Sequence, residues 1–84
     1  MHKVQMEYAK AKAAYDAAFE AKNWELVDQL EDAYLEAEMA LIEWTLEQVE
    51  KSGLMPKEEI EFIRDNMGPE QMEKIAELGF RLQA

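Results

Sequence analysis

Nine carboxylates lie within residues 23–50 of this 84-residue chain, and the segment contains no lysine or arginine. They are Glu25, Asp28, Glu31, Asp32, Glu36, Glu38, Glu43, Glu47 and Glu50. Carboxylates at such density can hold a cation, transfer a proton to a substrate, or attract a basic partner. Cation binding and proton transfer need further groups, which the rest of the sequence would have to supply.

The other side chains offer little for catalysis. His2 is the only histidine, and Thr45 and Ser52 are the only hydroxyl residues besides the tyrosines, so no nucleophile has an evident base. Carboxylates such as Glu43 and Glu47 would bind a hard divalent ion only weakly without a shaped loop. The sequence also lacks a Glu-x-x-His pair and a phosphate-binding glycine loop. We therefore expect no enzyme activity, no metal site and no cofactor.

The formal net charge of −10 excludes several classes of partner. An acidic protein repels phosphate backbones and anionic lipids, which argues against direct binding of nucleic acid or of a membrane surface. The chain has no cysteine, no signal-peptide pattern, and no apolar run near the roughly 20 residues that span a bilayer. The expected location is the cytoplasm. The expected partner is another protein, and the charge makes a basic protein a candidate.

Capping and periodicity predict four helices in a single all-α domain over residues 1–84. The predicted bounds are about 2–22, 24–51, 56–67 and 69–82. Asn23 is the signal that separates the first two helices, and Gly53 ends the second. Pro56 and Pro69 then mark the first turns of the two short helices. The short connection at Asn23 predicts a long antiparallel hairpin, which the two C-terminal helices complete as a small helical bundle.

The position of the turn predicts the register of this hairpin, because a turn near residue 22 places residues whose numbers sum to about 45 opposite one another. The side-chain sizes agree with this register. Alanine recurs along the first helix, so that large residues of one helix can face small or medium residues of the other. We expect Ala11 to lie opposite Tyr34 and Ala18 opposite Val27. Such an alternation permits close, interdigitated packing of the two helices.

The second helix carries two apolar stripes, of which only one can face the first helix. The second stripe, with alternating spacings of four and three, consists of Leu35, Met39, Ile42, Leu46 and Val49. A helix that is apolar on two sides must be covered on two sides. Either the two C-terminal helices fold over this stripe, or part of it stays open as an interface with a second copy or another protein. The two arrangements can coexist, and we expect a dimer or small oligomer.

The carboxylates fill the gaps between the apolar stripes. One acidic row comprises Asp32, Glu36, Glu43, Glu47 and Glu50, whereas Glu31 and Glu38 lie between the two stripes. No Glu–Lys pair at a spacing of four can form inside this helix. We expect Lys3 and Lys10 of the first helix to offset part of the charge of the second.

Three interpretations of the acidic row remain open. It is a solvated face, a docking surface for a basic protein, or a mimic of nucleic acid. Nine charges over about 42 Å of helix give one per roughly 4.7 Å, against one per about 1.7 Å in duplex DNA. The sequence predicts a non-enzymatic adaptor or inhibitor that binds a protein through an acidic and apolar face of the second helix and acts as an oligomer. A nucleic-acid-mimicking inhibitor and a purely structural oligomer are the alternatives.

Overall fold

The computed structural model describes residues 1–82, which form four α-helices and no strand. The helices are α1 (Lys3–Glu20), α2 (Trp24–Ser52), α3 (Lys57–Asp65) and α4 (Pro69–Arg81). The predicted all-α class and the order of a long hairpin followed by two short helices are confirmed. The ends of the predicted helices are displaced by at most two residues.

The hairpin turn uses two adjacent residues in different ways. Lys22 adopts a left-handed conformation with φ 57°, and the N–H of Asn23 donates to the carbonyl of Ala18 at 3.0 Å. The side-chain oxygen of Asn23 accepts a hydrogen bond from the N–H of Leu26 at 3.3 Å, which caps the start of α2. The register agrees with the prediction, because Tyr34 lies between the rings of Tyr8 and Tyr15.

The core lies along the C-terminal half of α2. Leu41 and Ile42 are fully buried and Leu46 is nearly so. The cluster is completed by Tyr8 of α1, Ile60 of α3 and Ala76 of α4. Burial of each large aliphatic side chain contributes about 1.5–3 kcal/mol to the free energy of folding. The two short helices are therefore held mainly by packing against this part of α2.

The helix α4 runs parallel to α2 because α3 carries the chain back along it. Glu73 of α4 lies near Glu38, and Gly79 packs against Thr45 further along α2. The first turn of α4 thus lies beside the middle of α2. Residues 17–35, which we call the arm, project beyond α4. The long hairpin gives the molecule its elongated dimensions of 43 × 27 × 15 Å.

Gly79 allows α4 to approach α2 closely. A methyl group at this position would overlap the hydroxyl oxygen of Thr45 and would come within 3.2 Å of a methyl carbon of Leu41. The Thr45 hydroxyl donates to the Leu41 carbonyl at 2.6 Å and is thereby satisfied in the interior. Glycine costs a helix about 1 kcal/mol relative to alanine, so Gly79 is explained by packing and not by helix propensity.

A buried glutamine joins the two ends of the bundle. The amide nitrogen of Gln5 donates to the carbonyl oxygens of Gly79 at 2.8 Å and of Leu82 at 2.6 Å. Its amide oxygen accepts a hydrogen bond from the N–H of His2 at 2.8 Å. The last carbonyls of a helix have no partner within the helix. Gln5 therefore ties the start of α1 to the end of α4.

We expect Gly79→Ala to lower the free energy of unfolding by about 1–3 kcal/mol, because the added methyl group must displace Thr45 or α4. Urea unfolding followed by circular dichroism measures this loss. In the double variant with Thr45→Ala, the combined loss should be smaller than the sum of the single losses. Strict additivity would mean that the two positions do not touch.

We expect Gln5→Ala to lower the free energy of unfolding by about 1–3 kcal/mol, because buried carbonyls of α4 lose their donor. Gln5→Glu should cost more, since an ionised carboxylate would face those carbonyl oxygens. Thermal unfolding of both variants at neutral pH provides the measurement. A Gln5→Glu protein as stable as the wild type would contradict the described hydrogen bonds.

Candidate protein-binding surface

All members of the predicted acidic row are exposed, and one of them is engaged within the chain. The row comprises Asp32, Glu36, Glu43, Glu47 and Glu50. The guanidinium of Arg64 in α3 donates to Glu43 from Nε to both carboxylate oxygens and lies within 3.2 Å through Nη2. The four other members have no ion-pair partner among residues 1–82. The ion pair of Glu43 thus connects α3 to α2. It also divides the unpaired carboxylates of the row into two groups.

Contrary to expectation, no ion pair joins Lys3 or Lys10 of α1 to a carboxylate of α2 among residues 1–82. Lys3 forms its ion pair one turn along its own helix, with Glu7 at 3.9 Å. Lys10 borders the same shallow groove as Glu36, yet neither forms an ion pair in the described part of the chain. Within residues 1–82, the compensation of α2 by direct ion pairs comes from Arg64 of α3 instead.

The second apolar stripe of α2 is divided between the core and the surface. Ile42 and Leu46 are buried, and Val49 packs partly buried against them. The predicted covering by α3 and α4 therefore holds for this half of the stripe, and these three side chains are not free to form an interface between copies. Leu35 and Met39 are 43% and 44% exposed. They are the part of the predicted interface that remains accessible.

A carboxylate lies under α4 without an ion pair. Glu38 is only 7% exposed, and no ion pair within residues 1–82 includes it. Burial raises the pKa of Glu38, the nearby carboxylate of Glu73 raises it further, and Lys12 opposes both effects. Burial beside Tyr34 likewise raises the pKa of Tyr8 above its ordinary range. Glu38 therefore favours its protonated form more strongly in the folded than in the unfolded chain.

A row of aromatic rings follows the hairpin from its end to α4. In order along the row, the rings are Trp24, Phe19, Tyr15, Tyr34, Tyr8 and Phe80, with neighbouring centroids 4.9–6.4 Å apart. Phe80 lies against the buried Tyr8, whereas Phe19 and Trp24 are 52% and 54% exposed. Sequence reasoning missed this row. The signal was the spacing of seven and then four from Tyr8 through Tyr15 to Phe19, which puts them on one face of α1.

The opposite side of the hairpin has a different character. A shallow groove there has alanine walls formed by Ala11, Ala14, Ala33, Ala37 and Ala40. At the end of this side, His2 stacks on Trp44 with centroids 4.9 Å apart, so that Trp44 is partly covered. The hairpin thus presents large aromatic groups on one side and small side chains on the other.

Two further features are absent from the described residues. Among residues 1–82, no three His, Asp or Glu side chains are grouped so that they could hold a metal ion. No helix in this range is both long and apolar enough to cross a membrane. The chain matches no protein-family model, and comparison with curated proteins and with solved structures found no match.

We expect Glu38→Gln to raise the melting temperature at about pH 7.5, because at that pH the buried carboxyl group must either stay charged or take up a proton, and the neutral amide avoids both costs. Because the pKa of Glu38 is raised on folding, the wild-type protein gains stability as the pH falls through that pKa. The difference between variant and wild type should therefore shrink near pH 3.5. The matched control is Glu31→Gln, an exposed position seven residues earlier. An equal effect of both substitutions would contradict the role of burial.

Proposed function

We propose that this protein is a non-enzymatic adaptor or inhibitor that binds another protein through the middle of α2, around Leu35 and Met39. The observation that carries the proposal is the exposure of Leu35 and Met39 next to Asp32 and Glu36, neither of which has an ion-pair partner among residues 1–82. An apolar centre with a polar rim is typical of surfaces that bind proteins.

The charge of this surface favours a basic partner. Unpaired carboxylates accelerate encounter with a basic surface and repel acidic competitors. Leu35 and Met39 supply the apolar contact, and the flexible thioether of methionine adapts to partners of different shape. Glu47 and Glu50 continue the acidic row beyond the ion pair of Glu43 and extend the attraction over a longer range.

Mimicry of nucleic acid is less well supported. With Glu43 paired to Arg64, four free carboxylates of the acidic row remain between Asp32 and Glu50. They are distributed over about 27 Å of helix, one per roughly 7 Å, against one per about 1.7 Å in duplex DNA. A second copy of the chain is a poorer occupant than a basic protein, because it would bring like charges together around Leu35 and Met39.

The test is affinity capture from the native host with wild-type protein and with the double variant Asp32→Lys/Glu36→Lys. We expect the variant to lose the captured partner, by about tenfold or more, because it reverses two charges at the proposed contact. The matched control is Glu58→Lys/Glu61→Lys, which makes the same charge change at exposed positions of α3. Circular dichroism must show that both variants remain helical.

Two results would contradict the proposal. Equal losses in both double variants would mean that net charge alone governs capture. Binding that is insensitive to salt between about 50 and 500 mM would exclude an electrostatic contact. Sedimentation of the purified protein separates the alternative of a homo-oligomer, since a mass that rises with concentration in the absence of any other protein identifies self-association.

A further inference from the structure

The groove that α4 occupies between α1 and α2 continues beyond α4. Glu31 and Glu38 are seven residues apart on the same side of α2. Glu38 is buried beneath α4, whereas Glu31 is exposed. Of the residues of α2 from Trp24 to Ala37, only Val27 is buried. The helix α4 therefore covers only part of the groove. The open part, which we call the arm groove, extends to the end of the hairpin.

The arm groove has an aromatic floor. Tyr15 and Tyr34 form its inner part, with ring centroids 4.9 Å apart, and both are partly exposed. Phe19 and Trp24 form its outer part, with ring centroids 5.2 Å apart. Aromatic side chains supply much of the binding energy in protein interfaces, and exposed clusters of them are uncommon on monomeric proteins. The rings also contact one another, so little side-chain entropy remains to be lost on binding.

The dimensions of the arm groove suit a short helix. From Trp24 to Leu35, α2 advances about 16 Å, which corresponds to roughly eleven residues or three turns of a second helix. The helix α4 already occupies the adjoining part of the same groove and lies parallel to α2. Its Phe80 contacts Tyr8, the last tyrosine of the aromatic row. A bound helix would continue this packing in line with α4.

Charge distinguishes between the possible occupants. The arm contains five carboxylates and one lysine, and Glu20, Asp28 and Glu31 have no ion-pair partner within residues 1–82. Two arms packed together would gather ten carboxylates against two lysines, twice the count of one arm, which disfavours a second copy. The covered part of the groove has Lys12 near Glu38. A partner that covers Glu31 must bring a positive charge of its own.

We propose that the arm groove binds a basic amphipathic helix of a partner protein, laid end to end with α4. Its apolar face contacts Phe19, Trp24 and Tyr34, while lysine or arginine side chains reach Glu20 and Glu31. This inference rests on the proposed function in that the occupant is a protein. It adds the binding mode, and it uses a side of α2 different from the acidic row.

The test uses three synthetic twelve-residue peptides and the full-length protein labelled with 15N. The first peptide has leucine at helical spacing with lysine elsewhere. The second has the same composition in an order without an apolar face, and the third has glutamate in place of lysine. The indole signals of Trp24 and Trp44 report separately on the two sides of the hairpin. We expect only the first peptide to bind. Its binding should shift the Trp24 signal and leave the Trp44 signal in place.

Matched variants localise the binding. We expect Phe19→Ala to weaken binding of the leucine–lysine peptide about tenfold or more, because it removes an exposed ring from the floor of the groove. Phe62→Ala, at a more exposed phenylalanine on α3, should have no effect. Glu31→Lys should weaken binding, whereas the same change at Glu61 should not. All four positions are exposed, so the variants should keep their helical circular dichroism.

Several outcomes would overturn the inference. They are equal binding of the scrambled or the leucine–glutamate peptide, a shift of Trp44 instead of Trp24, and equal effects of Phe19→Ala and Phe62→Ala. A concentration-dependent dimer that Phe19→Ala disrupts would assign the groove to a second copy. If a captured partner depends on Asp32 and Glu36 but not on Phe19, the proposed function stands and the inference fails. If neither set of variants affects capture, both fail.

Discussion

The contact between Gly79 of α4 and Thr45 of α2 determines where α4 lies along the hairpin, and the accessible surface follows from that position. The absence of a side chain at Gly79 lets the two helices approach closely. Gln5 then holds the same end of α4 through the carbonyls of Gly79 and Leu82. Because α4 has 13 residues and α2 has 29, a helix anchored at its C-terminal end near Thr45 cannot reach the end of the hairpin. The open arm is thus a consequence of one anchored contact and the unequal lengths of two helices.

Two pairs of identical residues in α2 lie in opposite environments. Leu46 is buried and Leu35 is exposed, although both belong to the second apolar stripe of α2. Glu38 loses solvent and its pKa rises, whereas Glu31 on the same side of the helix stays in water. In both pairs the amino acid is the same and the sequence pattern repeats. The difference is that the two C-terminal helices cover Leu46 and Glu38 and leave Leu35 and Glu31 exposed.

The ion pairs that form depend on which oppositely charged side chains lie within reach of one another. Lys3 forms an ion pair with Glu7 because this acid lies one turn away on the same helix. The pair involves no residue of α2. Arg64 bridges α3 to Glu43 because α3 packs beside that residue. The arm has neither arrangement for Glu20, Asp28 or Glu31 among residues 1–82. Its unpaired acids therefore lie beside its exposed aromatic rings, and this combination is the basis for the proposed binding of a basic protein segment.

The helices, their order and the register of the hairpin were determined by local signals in the sequence. Asn23 as a cap, Gly53 as a stop and the spacing of apolar residues act over a few neighbouring residues, so they can be read without tertiary information. Only the tertiary structure decided that Ile42 is core and Leu35 is surface, and that the tyrosines join Phe19 and Trp24 in one row. The first outcome depends on where α3 and α4 lie, and the second depends on the packing of α1 against α2. Both arise from contacts between residues far apart in the chain, which periodicity along a single helix does not encode.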